Sequence, residues 1–190
     1  MPNVSHAALT DPNLHEPKGA ATATVGKAYI ADGAGSGAWN YPGGSVYGNI
    51  YSKDGSIAIS TIGTTAKKFA VFTANGPSNL VTADHTNDQL TVTIAGVYKI
   101  DATISATTAA AGDAGTYQLH LRVNGTENAA IGCRHYFSGS SDQDTMYITG
   151  LVTLAANDVL TVYIESDEAG NTDDLVVEAA NFSAVLLKAS

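Results

Sequence analysis

Cysteine is nearly absent from this 190-residue sequence, which contains one, Cys133. A single cysteine cannot form an intramolecular disulfide, so no disulfide framework stabilises the fold, and we expect a buried, inert thiol. His135 lies two residues further on, which on a strand would place both side chains on one face. No nucleophile signature surrounds the pair, so the sequence gives little support to cysteine catalysis.

Basic residues are also few. The chain has nine Lys and Arg against eighteen Asp and Glu, a formal net charge of −9. Nucleic-acid binding needs a basic footprint, and an anionic membrane surface repels an acidic chain, so we expect neither partner. No apolar run reaches the length of a membrane span, and Met1–His6 has no secretion-signal pattern. We therefore expect synthesis in a cytoplasm and no membrane insertion.

Proline is rare after the first 45 residues, which hold four of the five prolines. The same segment contains the glycine-rich run Asp32–Gly37 and almost no apolar periodicity. A phosphate-binding loop would open a helix, but Trp39 and Pro42 follow the run instead. The composition predicts an extended arm over residues 1–45, followed by one domain over residues 46–190.

The domain has an alternation of apolar and polar residues with a period of two. Tyr98, Ile100, Ala102 and Ile104 share one predicted face, and the residues from Tyr117 to Val123 alternate in the same way before the hairpin signal Asn124-Gly125. Phe69–Phe72 is predicted as a buried strand. Further predicted strands are Val176-Val177 and Phe182–Leu187. Roughly eight to ten short strands without a long helix indicate an antiparallel sandwich or barrel.

Four local patterns between about Phe69 and Lys188 resemble the C1q/TNF-like family. They are Ile94–Ile100, Leu119–Gly125, Leu151–Val162 and Asn181–Leu187. The resemblance implies an all-β fold, an antiparallel jelly-roll β-sandwich that forms a homotrimer with its closing strand near the threefold axis. The trimer interface that this resemblance implies comprises Tyr98, Phe182, Val185 and Leu187.

The N-terminal segments His6–Ala20 and Ala31–Trp39 resemble phage head-fibre and capsid-decoration proteins. This resemblance implies a structural protein on the virion surface whose arm binds the major capsid protein. The residues of the arm implied to make this contact are Leu9, Asp11, Pro12, Leu14, His15, Glu16, Pro17 and Lys18.

Two other functions stay open. The protein is alternatively the receptor-binding tip of a tail fibre that recognises a host-surface glycan or protein, or a C1q-like carbohydrate-binding protein outside any virus. Recognition would then lie in loops such as Thr108–Gly115, Ser138–Gln143 and Asp167–Asp174. Location in an imaged virion would separate the capsid hypothesis from the tail-fibre hypothesis.

Chemical motifs are weak throughout the chain. His120 and His135 could face each other across the predicted hairpin, but no third ligand completes a zinc site. Residues 165–174 hold five carboxylates, which leaves Ca²⁺ binding open, although the spacing is not that of an EF-hand. No carboxylate pair or serine elbow is fixed in a cleft. We expect no enzyme activity, no metal and no cofactor.

Overall fold

The computed structural model describes residues 22–31, 37–53, 55–110, 113–139, 143–167, 169 and 173–190. In these ranges the chain forms strands and no α-helix. None of this described part supplies a helix long and apolar enough to cross a membrane. The chain divides into two units, Met1–Pro42 and Gly43–Ser190.

The described part of the first unit is a two-stranded hairpin. Strands β1 (Ala28–Ala31) and β2 (Gly37–Asn40) pair antiparallel, with Tyr29 opposite Trp39. The two rings meet edge to face with centroids 5.5 Å apart. The sequence did not predict these strands, because the glycine-rich run hides their pattern.

The second unit contains two antiparallel sheets. The first, here called the β10 sheet, has the order β11-β10-β13-β8-β7, and β5 also pairs with β13. Its strands are β5 (Lys67–Lys68), β7 (Val81–Asp84), β8 (Gln89–Val92), β10 (Gly115–Val123), β11 (Thr126–Phe137) and β13 (Val159–Ser166).

The second sheet, here called the β14 sheet, has the order β12-β9-β14-β3-β6, and β4 also pairs with β14. Its strands are β3 (Tyr47–Ser52), β4 (Ile57–Ile62), β6 (Ala74–Asn75), β9 (Gly96–Thr108), β12 (Asp144–Leu154) and β14 (Asp173–Ala189).

The predicted Asn124-Gly125 turn is confirmed. Both residues have positive φ angles, 51° and 79°, and Val123 pairs directly with Thr126 across the turn. Two successive left-handed residues match the twist of a tight hairpin, and Asn and Gly tolerate that conformation better than other residues.

The core lies between the two sheets, and the alternation in sequence places its side chains. Tyr98, Ile100, Ala102 and Ile104 of β9 are at most 2% exposed, as their predicted common face requires. Tyr117, Leu119 and Leu121 of β10 are fully buried from the other sheet. Burying each large apolar side chain contributes roughly 1.5–3 kcal/mol, so these two faces account for much of the packing free energy.

Two predicted elements differ from the structure. Phe69–Phe72 is not a strand: Phe69 N donates to Val162 O in the β10 sheet, and Thr73 N donates to Tyr51 O in the β14 sheet. The segment crosses between the sheets, so Phe69, Val71 and Phe72 are buried without strand pairing. The two predicted strands Val176-Val177 and Phe182–Leu187 are one strand, β14, with a register shift between Val177 and Ala179.

Candidate functional site

The outward face of the β14 sheet, here called the β14 face, is a regular surface formed by four long neighbouring strands. In an antiparallel sheet, directly opposed residues have side chains on the same face, so the strand register defines rows. Four strands, β12, β9, β14 and β3, contribute one residue each to every row. The rows are Tyr147, Thr103, Asn181 and Tyr51; Thr149, Asp101, Ser183 and Asn49; and Leu151, Lys99, Val185 and Tyr47.

Charge on these twelve positions is limited to Lys99 and Asp101. The two groups neutralise each other, because Lys99 Nζ lies 2.9 Å from Asp101 Oδ2. Thr149 donates its hydroxyl to Asp101 Oδ1 at 2.7 Å, and Asn49 Nδ2 donates to Asn181 Oδ1 at 2.9 Å. The face therefore satisfies much of its polarity internally and presents no net charge to solvent.

Large apolar side chains lie on the two outer strands of this face, β12 and β3. Tyr147 and Leu151 of β12 are each 61% exposed, and Tyr47 of β3 is 38% exposed. Aromatic residues are enriched at protein interfaces, so these three residues are the part of the β14 face best suited to contact a partner. Sequence reasoning missed these three residues, although an apolar residue on the polar side of an alternating strand was a usable signal.

Two of the four predicted interface residues must be corrected. Tyr98 and Phe182 have no exposed surface within the single chain, so neither can contact a partner subunit. Tyr98 donates its hydroxyl to Ile94 O at 2.7 Å, and burial raises its pKa to about 12. Phe182 packs on Phe72 with ring centroids 6.2 Å apart. Both residues are core residues, because they alternate with the outward positions of their strands.

Val185 and Leu187 do reach the surface. Val185 is half-buried in the third row of the β14 face, and Leu187 is 44% exposed further along β14. Their contact with a partner stays a prediction. The predicted arm residues, from Leu9 to Lys18, lie outside the described residues.

A polar groove marks the outward side of the β10 sheet. One cavity of about 300 Å³ and a second of about 90 Å³ share Gln118 and Arg134, whose side chains are joined by a 2.7 Å hydrogen bond from Arg134 Nε to Gln118 Oε1. We call the two cavities together the β10 groove. The larger is lined in part by His120, Glu127, Asn128 and Gly132, and the smaller by Thr116, Glu165, Ser166 and Asp167.

The histidines and the cysteine do not form a reactive site. His120 is opposite Gly132 and Tyr163, whereas His135 is opposite Tyr117, so the two histidines do not face each other. Burial raises the pKa of the Cys133 thiol, which disfavours a thiolate. His135 Nε2 lies 2.5 Å from Asp144 Oδ2 and thereby links β11 to β12.

Two carboxylates of the acidic segment 165–174 accept hydrogen bonds from backbone N–H groups. Asp167 Oδ1 accepts from Thr116 N at 2.9 Å, and this hydrogen bond lowers the pKa of Asp167. Asp174 Oδ1 accepts from Thr61 N at 2.7 Å. Within the part of the chain that the structure describes, no three His, Cys, Asp or Glu side chains are grouped to hold a metal ion.

Comparison with known proteins identifies the fold. No family model and no curated protein matches the sequence. The chain is similar to the structure of Eiger TNF from S. frugiperda, at 14% identity and a TM-score of 0.57 over 76% of this chain and 94% of that one. It is also similar to the globular domain of zebrafish complement 1qA protein, at 18% identity and a TM-score of 0.48 over 76% and 99% of the two chains.

The likeness to the TNF structure confirms the predicted antiparallel jelly-roll β-sandwich. At this identity it concerns the fold alone, since one fold carries many functions.

Proposed function

We propose that the protein is a homotrimeric, non-enzymatic structural protein on the surface of a bacteriophage capsid, attached to the major capsid protein through its N-terminal arm. The observation that carries the trimer is the β14 face, with its exposed Tyr147 and Leu151 and its internally neutralised charges. An exposed apolar surface on a rigid sheet is stabilised when a symmetry-related copy covers it.

Attachment to a capsid rests on the resemblance of His6–Ala20 and Ala31–Trp39 to head-fibre and decoration proteins. An extended segment that gains order on a partner can cover a large area of that partner.

The trimer is tested by the mass of the purified protein in solution, measured by light scattering coupled to size exclusion. We expect three times the chain mass at micromolar concentration. Tyr147→Asp places a charge on the β14 face and should shift the mass toward that of one chain. The matched control is Tyr136→Asp on β11, where the native side chain is similarly exposed at 59%. A monomer mass for the unmodified protein would contradict the proposal.

A second candidate function is the recognition of a host-surface glycan or protein, as in the tip of a tail fibre. The β10 groove favours it, because ligand sites are concave and use a small number of polar groups to orient the ligand. Reconstruction of the intact particle separates the two functions: density on the capsid shell favours the first, and density at the tail favours the second.

A further inference from the structure

The larger cavity of the β10 groove exists because the pairing of β10 with β11 is interrupted. His120 pairs with Gly132 and Arg122 pairs with Glu127. Between these two pairs, β10 has one residue, Leu121, whereas β11 has four, residues 128–131, so β11 bulges here. Such a bulge disrupts the ladder and re-aims side chains, and bulges are common beside binding sites. One of the bulged residues, Ile131, is 1% exposed and anchors the bulge in the core.

Gly132 keeps the floor of this cavity open beside His120. A Cβ atom at this position would lie 3.2 Å from Leu119 O and 3.4 Å from His120 Cβ. A larger side chain would therefore crowd the carbonyl oxygen of Leu119 and lie directly against Cβ of His120. The glycine leaves one edge of His120 without a neighbouring side chain on β11.

His120 is the unusual group in the groove. Its side chain is 1% exposed and stacks on Tyr163, with ring centroids 6.1 Å apart. Within the described residues, neither ring nitrogen has a hydrogen-bond partner, since Glu127 Oε2 is 3.9 Å from Nε2. Leaving a buried polar group unpaired destabilises the folded chain. Both nitrogens are also inaccessible to solvent in this conformation, so a hydroxyl in the cavity can pair with one of them once the imidazole turns toward the cavity.

The remaining lining has the chemistry that recognises vicinal hydroxyl groups. Gln118 and Asn128 offer amides with donor and acceptor side by side, Glu127 and Glu165 offer carboxylates, and Arg134 offers a planar guanidinium. Each hydroxyl both donates and accepts, so paired planar groups match it well. Among the lining residues, the carboxylates outnumber the single guanidinium, so an acidic ligand would be repelled.

We propose that the β10 groove binds a neutral saccharide, with one sugar unit in the cavity of about 300 Å³ against His120 and the adjoining cavity holding part of a neighbouring unit. Gln118 and Arg134 contact both units, because they line both cavities. The proposal deepens the second candidate function and rests on it, but it depends neither on the trimer nor on capsid attachment.

The test is a titration of the isotope-labelled full-length protein in solution, followed by the NMR signals of its histidine rings. The probes are glucose, galactose, mannose and N-acetylglucosamine, with glucuronate as the acidic counterpart of glucose. We expect at least one neutral sugar to shift the His120 ring signals saturably, with a millimolar Kd, while the signals of His85 stay unchanged.

Variants make the test specific to the groove. Gln118→Ala should raise the Kd at least about tenfold. The control Gln143→Ala, at an exposed residue directly before β12, should leave it unchanged. Saturable binding lost in Gln118→Ala supports the groove. Absence of any saturable shift, tighter binding of glucuronate, or equal binding by Gln118→Ala and unmodified protein would overturn it. None of these results bears on the mass measurement that tests the trimer.

Discussion

His120 and His135 lie on the neighbouring strands β10 and β11, but they differ in burial. The His120 side chain is 1% exposed, whereas that of His135 is 32% exposed. His120 alternates with core residues of β10 and points outward, yet the ring of Tyr163 and the bulge in β11 bury it. His135 is partly exposed and is held by Asp144 and the ring of Phe137. Alternation alone predicted an exposed His120. Its burial depends on a register break that the sequence pattern does not contain.

The burial of His120 predicts how stability depends on pH. Burial lowers the pKa of His120 below its usual value of 6.5, and nearby Arg122 acts in the same direction, while Glu127 and Glu165 oppose them. A base whose folded pKa is depressed takes up protons more readily in the unfolded chain. It therefore contributes stability above about pH 6.5 that is lost as the pH falls through the folded pKa.

We expect the unmodified protein to lose more stability than His120→Gln when the pH is lowered through this range. Urea unfolding at a series of pH values measures the difference. His85→Gln, in the turn between β7 and β8, is the control for replacing a histidine elsewhere in the chain. Parallel curves for the unmodified protein and His120→Gln would show that His120 is not buried in its neutral form.

At the scale of the element, β14 was harder to predict from the sequence than β9 and β10 were. Strands β9 and β10 alternate strictly, so their faces were predicted correctly. Glu178 and Asn181 interrupt the apolar pattern of β14, and the register shift beside Ala179 changes which alternate residues point inward. The sequence therefore predicted two strands where the structure has one. The β14 face was partly predictable from Val185, Tyr147 and Leu151. The β10 groove was not, because a bulge arises from long-range pairing.

The corrected position of Phe182 gives a prediction about β14. Phe182→Ala removes a fully buried ring that packs on Phe72, so it should lower the free energy of unfolding by about 3–5 kcal/mol. Val185→Ala, three positions further along on the outward face, should cost the single chain much less. Denaturant unfolding under conditions where each variant has the same oligomeric state measures both. Equal losses would place Phe182 at the surface rather than in the core.

At the scale of the whole molecule, the two units contain different parts of the chain's structure. The second unit, Gly43–Ser190, contains β3 to β14 and thus both sheets and the core. The first contains the segment that resembles capsid-binding proteins. We expect the second unit to fold without the first, because each strand from β3 onward pairs with strands of the same unit. The proposed oligomer formation and the proposed attachment therefore rest on different units and can be tested separately.

Deletion of residues 1–42 tests this separation. We expect the shortened protein to keep its β-sheet circular dichroism and the same number of chains per oligomer as the full-length protein, because the β14 face is intact. It should fail to sediment with capsids that the full-length protein binds, because the arm is missing. Undiminished sedimentation of the shortened protein would move the attachment site to the second unit.

The central position of β14 also determines when the molecule can fold. Asn49 and Asn181 are hydrogen-bonded across a separation of 132 residues, and β14 lies between β9 and β3 in its sheet. While a ribosome is still adding residues 173–189, β9 and β3 have no strand between them, and their apolar faces are uncovered. Closing so long a loop is entropically costly, which slows folding of sheets built from distant strands. We infer that the sandwich closes only after β14 has left the ribosome, and that a nascent chain stalled before this strand depends on chaperones to stay out of aggregates.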